Sequence, residues 1–159
     1  MTPLQSREPG VVGAALSHPH AYAELILDQH HVHPAAFLSA LYAKGDRLLL
    51  VSDAMRASGL HEGESELGGQ RVWVADGKAT LADGTLAGSV LTIDVAFRNA
   101  LELGVTVGGA SALCSSTPAR YLGLSDRGSL TPGKRADILV MNREGYIQDV
   151  YIAGRAISR

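Results

Sequence analysis

Two apolar runs, AELIL at 23–27 and LLLV at 48–51, flank a segment of helical periodicity, and this arrangement limits the possible folds more than any other feature of the chain. Ala23 to Leu27 is short, mostly apolar and closed by polar Asp28 and Gln29, as expected of a buried strand. HHVHP follows. Pro34 suits the first turn of a helix, and Ala35, Leu38, Leu41 and Tyr42 then recur at three- and four-residue spacing as far as Gly45. Arg47 to Ser52 reads as a second strand whose LLLV centre is apolar on both faces, the pattern of a parallel sheet covered by helices. Strand, helix and strand within about 30 residues make a βαβ unit. Eighteen glycines against 5% aromatic residues add many tight turns and a core of Ala, Val, Leu and Ile, which favours layered α/β structure over a helical bundle.

Met1 to Gly13 carries Pro3, Pro9 and Gly10 with no apolar period, so an extended loop is expected to enter a short helix from Val11 to Leu16. From Gly69 to Thr85 the pattern alternates, with Val72 and Val74 flanking Trp73 and with ADGK and ADGT as turns. A hairpin or meander is expected there, with Trp73 in its core. Ser89 is placed to cap a helix that buries Leu91, Val95 and Leu101, reaches Leu103 and is stopped by Gly104. A further helix is expected from Val107 to Ser115, and Thr117-Pro118 should start a separate one through Leu122. Gly128 to Arg159, with DILVM and DVYIAG, reads as two or three strands of a small separate sheet.

At 159 residues the chain fits one ordinary domain with a sizeable core. A formal charge of −2 gives no basic excess for nucleic acid and no basic cluster for a membrane surface, so a small partner is expected. The single cysteine, Cys114, excludes an internal disulfide, fits a reducing compartment and reads as a packed small hydrophobe. No apolar run approaches the ~18 residues of a membrane-spanning helix, and MTPLQSREPG lacks the layout of a signal peptide. A soluble, cytoplasmic protein is the expectation.

In a parallel α/β layout the loops after the carboxyl ends of the strands deliver side chains to one mouth. Asp28, His30, His31, His33 and Asp53 all follow such strands. Asp53 reads either as a functional carboxylate or as a helix cap or surface acid. His31 and His33 have the spacing of a metal-binding pair, yet His33 directly precedes Pro34 and can serve to begin the helix. A catalytic metal site needs about three protein ligands, and these candidates are too local to supply them. His18 and His20 flank a proline and read as surface loop. Arg7 in SREPG is either an anion clamp or a solvated side chain. Leu86 to Ser89 opens the expected helix with small residues, either as free backbone N–H groups for a ligand or as a plain cap.

SREPGVVGA, DxxHVHP, LVSDA, DGTLAGS, STPARYLGL and GSLTPGKRADILV, in this order, resemble the C-terminal part of the N-acetylglucosamine-6-phosphate deacetylases of the amidohydrolase superfamily. The resemblance covers nearly the whole chain, and its first four motifs are the specific ones. It implies a (β/α)8 metal-dependent hydrolase barrel with a small β-sandwich, in which AELIL and LLLV are the last two barrel strands. Residues 1–124 would be a partial barrel with an inserted hairpin near 69–85, and residues 125–159 would be a segment of the sandwich. The implied reaction is hydrolysis of an amino-sugar phosphate acetamide in amino-sugar catabolism. By motif, Asp53 is the catalytic acid and base, Arg7 grips the phosphate, Asp28, Gln29, His30 and His31 line the substrate, and so do Leu86, Ala87 and Gly88. Gln29 stands where the motif commonly has Gly.

The resemblance places the ligands of the divalent metal, zinc or iron, upstream of this chain, in a motif whose last residue would coincide with Met1. It also implies a missing N-terminal half of the barrel as partner and a homodimer when complete, with Arg7 serving its own site or a neighbour's. A chain with two barrel strands would expose a sheet edge and apolar helix faces, and no activity is expected of it alone. Two alternatives stay open: a non-catalytic remnant that binds a sugar phosphate, and an amidohydrolase of other specificity.

Overall fold

The computed structural model describes residues 3–158, so the Met1 coincidence lies outside the described residues. At its centre, strand β1 (Ala23–Leu25) pairs parallel with β2 (Leu48–Leu50) across helix α2 (Pro34–Lys44), the expected βαβ unit with both strands shorter than their apolar runs. Register runs from Ala23↔Leu48 to Leu25↔Leu50, and Val51 N–H extends the pairing to the Leu25 carbonyl at 3.0 Å. All three β2 residues are buried, as a parallel strand covered on both faces requires. His33 caps α2 by accepting the Ala35 N–H on Nδ1, Pro34 takes the first turn, and Gly45 at φ 52 ends it.

The buried face of α2 differs from expectation. It is Phe37, Ala40 and Lys44, with Leu38 and Leu41 partly buried, whereas Ala35 is exposed and Tyr42 is 86% exposed. At 100° per residue, Ala35 and Tyr42 lie about 160° and 140° away from Phe37, on the solvent side. Lys44 hides its stem and donates from Nζ to the His18 carbonyl at 2.7 Å, which ties α2 to the end of α1 (Gly10–Ser17).

The expected meander is longer at both ends. β3 (Gly63–Leu67), β4 (Gln70–Ala75), β5 (Lys78–Thr80) and β6 (Leu86–Gly88) form one antiparallel sheet in sequence order. Asp76 and Gly77 turn β4 into β5 at φ 50 and 73, the paired left-handed backbone that a tight hairpin needs. Val72, Val74 and Ala79 face inward onto Met55 and Ala57. Trp73 is 41% exposed, contrary to expectation, because side chains alternate along a strand and its two valine neighbours already take the inner face.

Leu86–Gly88 is therefore an edge strand and does not open a helix. Ser89 is buried, its Oγ accepts the Leu91 N–H at 3.0 Å, and α3 begins only at Ile93, running to Glu102. Ala96, Phe97 and Ala100 of α3 join Leu91 in the main core, while Val95 and Leu101 are partly buried. The next helical run is continuous where two helices were expected: α4 (Val107–Ser111), one π-helical turn (Ala112–Ser116) and α5 (Thr117–Tyr121). Thr117 is not a cap. It is helical and buried, and its N–H donates to the Ala112 carbonyl five residues back. Pro118 lacks an N–H and its ring would crowd the carbonyl four residues before it, and the wider turn accommodates both. The tail forms the expected small antiparallel sheet, β7 (Ile138–Met141), β8 (Ile147–Ile152) and β9 (Arg155–Ile157), with a bulge between Val140 and Met141. Met141 packs on the core shared by the βαβ unit, α3 and the helical run.

Candidate active site

Beyond β1 the chain passes through buried Leu27, whose carbonyl accepts a 2.7 Å hydrogen bond from the Asn99 side-chain amide on α3. The backbone is thus anchored one residue before Asp28. The Asp28 carboxylate folds back over its own loop. Oδ1 accepts the backbone N–H groups of His30 at 2.9 Å and His31 at 2.8 Å, and Oδ2 lies 2.6 Å from His31 Nδ1. Its side chain is 4% exposed. Burial pushes this carboxyl upward, but the hydrogen bonds from His31 and His30 outweigh it and hold Asp28 below the usual carboxylate range. A turn this tight drives Gln29 to φ 65, a left-handed backbone that explains why glycine suits the position.

Asp53 follows β2 and differs in each respect. Its residue is exposed, its backbone is left-handed at φ 43, and among the described residues no hydrogen bond or ion pair engages its carboxylate. The next residue, Ala54, forms a parallel bridge to Ser89, and Met55 N–H donates to the Ser89 carbonyl at 2.8 Å. These contacts set the Asp53 loop beside the end of β6, so Leu86, Ala87 and Gly88 lie next to it. A Cβ on Gly88 would come within 3.2 Å of Leu67 and 3.4 Å of Met55 Sδ, so a residue larger than glycine fits only if neighbours shift. Strained backbone of this kind, at Gln29 and again at Asp53, is typical of loops that hold a functional group in a set direction.

The β4–β5 turn reaches the same mouth, since a Cβ on Gly77 would lie 3.9 Å from His30 Nε2. Glu62 Oε1 holds that turn through the Asp76 N–H at 2.9 Å. Arg7 is exposed and, among the described residues, makes no hydrogen bond or ion pair with either strand-end loop.

The histidine pair does not converge. His33 Nδ1 caps α2, His31 Nδ1 is engaged by Asp28, and among the described residues no group of three or more His, Cys, Asp or Glu side chains could hold a metal ion. These residues do not by themselves fit a metal site. Cys114 sits elsewhere, where burial pushes its thiol up to about 12, beside a cavity of about 990 Å³ bounded by Phe97, Leu101, Ile138 and Met141. Sequence reasoning missed Asn99 and the Glu62–Asp76 contact. Asn99 had a signal, a polar residue next to Ala96 and Ala100 on the buried stripe of α3; the acid at 62, exposed and remote in sequence, had none.

A relative in Escherichia coli K12, whose N-acetylgalactosamine-6-phosphate deacetylase name is provisional, is 44% identical over 99% of this chain and 96% of its own length. The N-acetylgalactosamine-6-phosphate deacetylase of Escherichia coli O157:H7 is also 44% identical, over 99% of this chain but 42% of the relative. Among solved structures, N-acetyl-D-glucosamine-6-phosphate deacetylase of Mycobacterium smegmatis, an aspartate-to-alanine mutant in complex with N-acetyl-D-glucosamine-6-phosphate, superposes with a TM-score of 0.91 at 34% identity, covering 98% of this chain and 42% of that one. The chain thus spans about two fifths of the longer relatives it matches. The sequence pattern of the amidohydrolase family, whose members generally use divalent metals, matches residues 21–157, from the start of the βαβ unit to the last strand of the tail, and the chain belongs to that family.

Proposed function

We propose that this chain carries the proton-transferring and substrate-lining part of an N-acetylglucosamine-6-phosphate deacetylase, which hydrolyses N-acetylglucosamine 6-phosphate to glucosamine 6-phosphate and acetate. The observation that carries this reading is Asp53, an exposed carboxylate without a partner among the described residues, set at the mouth of a parallel strand pair beside Leu86–Gly88. An amide nitrogen leaves poorly until it is protonated. Asp53 takes a proton from water as the water oxygen bonds to the acetyl carbonyl carbon. The same carboxyl then gives that proton to the amide nitrogen as the C–N bond breaks. A neighbour captured with N-acetyl-D-glucosamine-6-phosphate as an aspartate-to-alanine mutant supports an acid in such a role.

In the same proposal Arg7 grips the phosphate, with the guanidinium fork suited to that dianion, and the Asp28–His31 loop and Leu86–Gly88 line the sugar. Zinc or iron, held by residues outside this chain, is the metal we assign to the complete enzyme. Residues 1–124 would complete a (β/α)8 barrel and residues 125–159 a β-sandwich with the rest of that enzyme, as a cytoplasmic homodimer.

A chimera in which this chain replaces the matched 42% of the Mycobacterium smegmatis enzyme tests the reading. It should release acetate from N-acetylglucosamine 6-phosphate, and the Asp53→Asn chimera should not; full turnover by the variant overturns the assignment. The 159-residue chain alone, supplied with divalent metal, should release none. The 44% identity to an N-acetylgalactosamine-6-phosphate deacetylase favours a second reading, in which the C4 epimer is the substrate. The ratio of kcat/KM for the two sugar phosphates decides between them.

A further inference from the structure

Asp28 shares the mouth with Asp53 but has no carboxylate oxygen left over for a ligand. Oδ1 already accepts two backbone N–H groups and Oδ2 accepts the His31 ring at 2.6 Å, inside an almost fully covered side chain. From these contacts we infer that Asp28 is a positioning residue, which fixes His31 in the tautomer with the proton on Nδ1 and turns the bare Nε2 toward the sugar. The inference rests on the deacetylase reading only for the identity of the ligand.

The chemistry follows from the partners. A carboxylate can only accept, so an imidazole nitrogen 2.6 Å away must carry the hydrogen. In the neutral ring the proton then sits on Nδ1 and leaves Nε2 as an acceptor for a hydroxyl or amide N–H of the ligand. The two backbone bonds keep the carboxylate from rotating, and the Asn99 bond to Leu27 keeps the loop from drifting. The ring is 24% exposed, so it faces outward from its buried anchor. His30 and His33 do not share this arrangement: His33 caps a helix with its own Nδ1, and His30 contributes its backbone N–H to Asp28.

The test uses the whole 159-residue chain with nitrogen-15-labelled histidine, the His31 signals being identified by their loss in His31→Gln. At a pH where the ring is neutral, Nδ1 should carry the proton. Asp28→Asn keeps a carbonyl oxygen for the two backbone donors but presents an amide N–H₂ to the ring, so the proton should move to Nε2 while the backbone spectrum stays that of the parent. A parent ring protonated on Nε2, or an unchanged tautomer in Asp28→Asn, overturns the inference. Titration with N-acetylglucosamine 6-phosphate gives the second readout. Asp28→Asn and His31→Gln should each weaken binding about tenfold, and the double variant should be no weaker than His31→Gln. Additive losses would mean that Asp28 meets the ligand itself and would overturn the inference. Absence of binding by the parent counts against the deacetylase reading alone, and the tautomer measurement then decides this inference without it.

Discussion

Asp28 and Asp53 occupy equivalent places, each an acid just past a parallel strand, and the structure gives them opposite conditions. Asp28 is covered, carries three hydrogen bonds and is held below the usual carboxylate range. Asp53 is exposed on a left-handed residue with no partner among the described residues. A fully engaged carboxylate builds a loop, because moving it breaks the bonds that define the loop. An unengaged one is available to accept and return a proton. Position at the strand ends selects both as candidates, and the hydrogen-bond inventory separates them.

The sharpest way to break this contrast is to neutralise each acid in the chimera. Asp53→Asn retains size and tolerance of a left-handed backbone, so its thermal midpoint should stay near that of the parent while acetate release falls about 10³-fold, about 4 kcal/mol of transition-state stabilisation. Equal rate losses for Asp28→Asn and Asp53→Asn would erase the distinction between positioning and proton transfer. Stability should respond in the reverse order. Asp28→Ala strands two backbone N–H groups and a ring nitrogen and should cost about 2–3 kcal/mol by urea unfolding, whereas Asp53→Ala should change little beyond its backbone strain.

Acid provides a smaller test with a definite sign. The folded-state pKa of Asp28 is depressed, so its contribution to stability is fully present above the unfolded value near 3.8 and is lost as pH falls through the lower folded value. Below about pH 4 the unfolded chain takes up that proton first, and stability falls with it. Asp28→Asn removes this ionisation, so its urea midpoint should change less than that of the parent between pH 4 and pH 2. Parallel curves for the two proteins would show that the ring and backbone bonds do not hold the ionised form.

The distinction between the two acids was only partly legible in the sequence. The βαβ unit was, since LLLV apolar on both faces leaves few alternatives to a covered parallel strand, and Gly45 and His33-Pro34 marked the ends of α2. The β3 strand was not, because GESEL has no apolar alternation and is held by pairing with β4. Thr117-Pro118 signalled a helix start correctly in local terms, and the preceding helix overrode it by opening a π turn. In the site, Asp28 was read as lining the substrate, and the local signal in Asp-x-x-His at 28 and 31 for a carboxylate reaching back to its own loop went unused; the covering of Asp28 by surrounding chain is a tertiary fact.

Gln29 gives the finest test of how the Asp28 loop is held. At φ 65 a side chain costs on the order of 1–2 kcal/mol relative to a right-handed backbone, a cost that glycine escapes. Glycine also gains freedom in the unfolded chain, which offsets roughly 0.5–1 kcal/mol of that relief. Gln29→Gly should therefore be stabilising by at most about 1.5 kcal/mol, with the His31 tautomer unchanged because neither Asp28 nor the ring is touched. If instead Gln29→Gly loosened the loop enough for the ring proton to exchange between nitrogens, the left-handed residue would itself be holding Asp28 in place. The turn would then be maintained by Gln29 as much as by the three bonds to the carboxylate, and the contrast with Asp53, which carries its own left-handed residue, would narrow to one of partners alone.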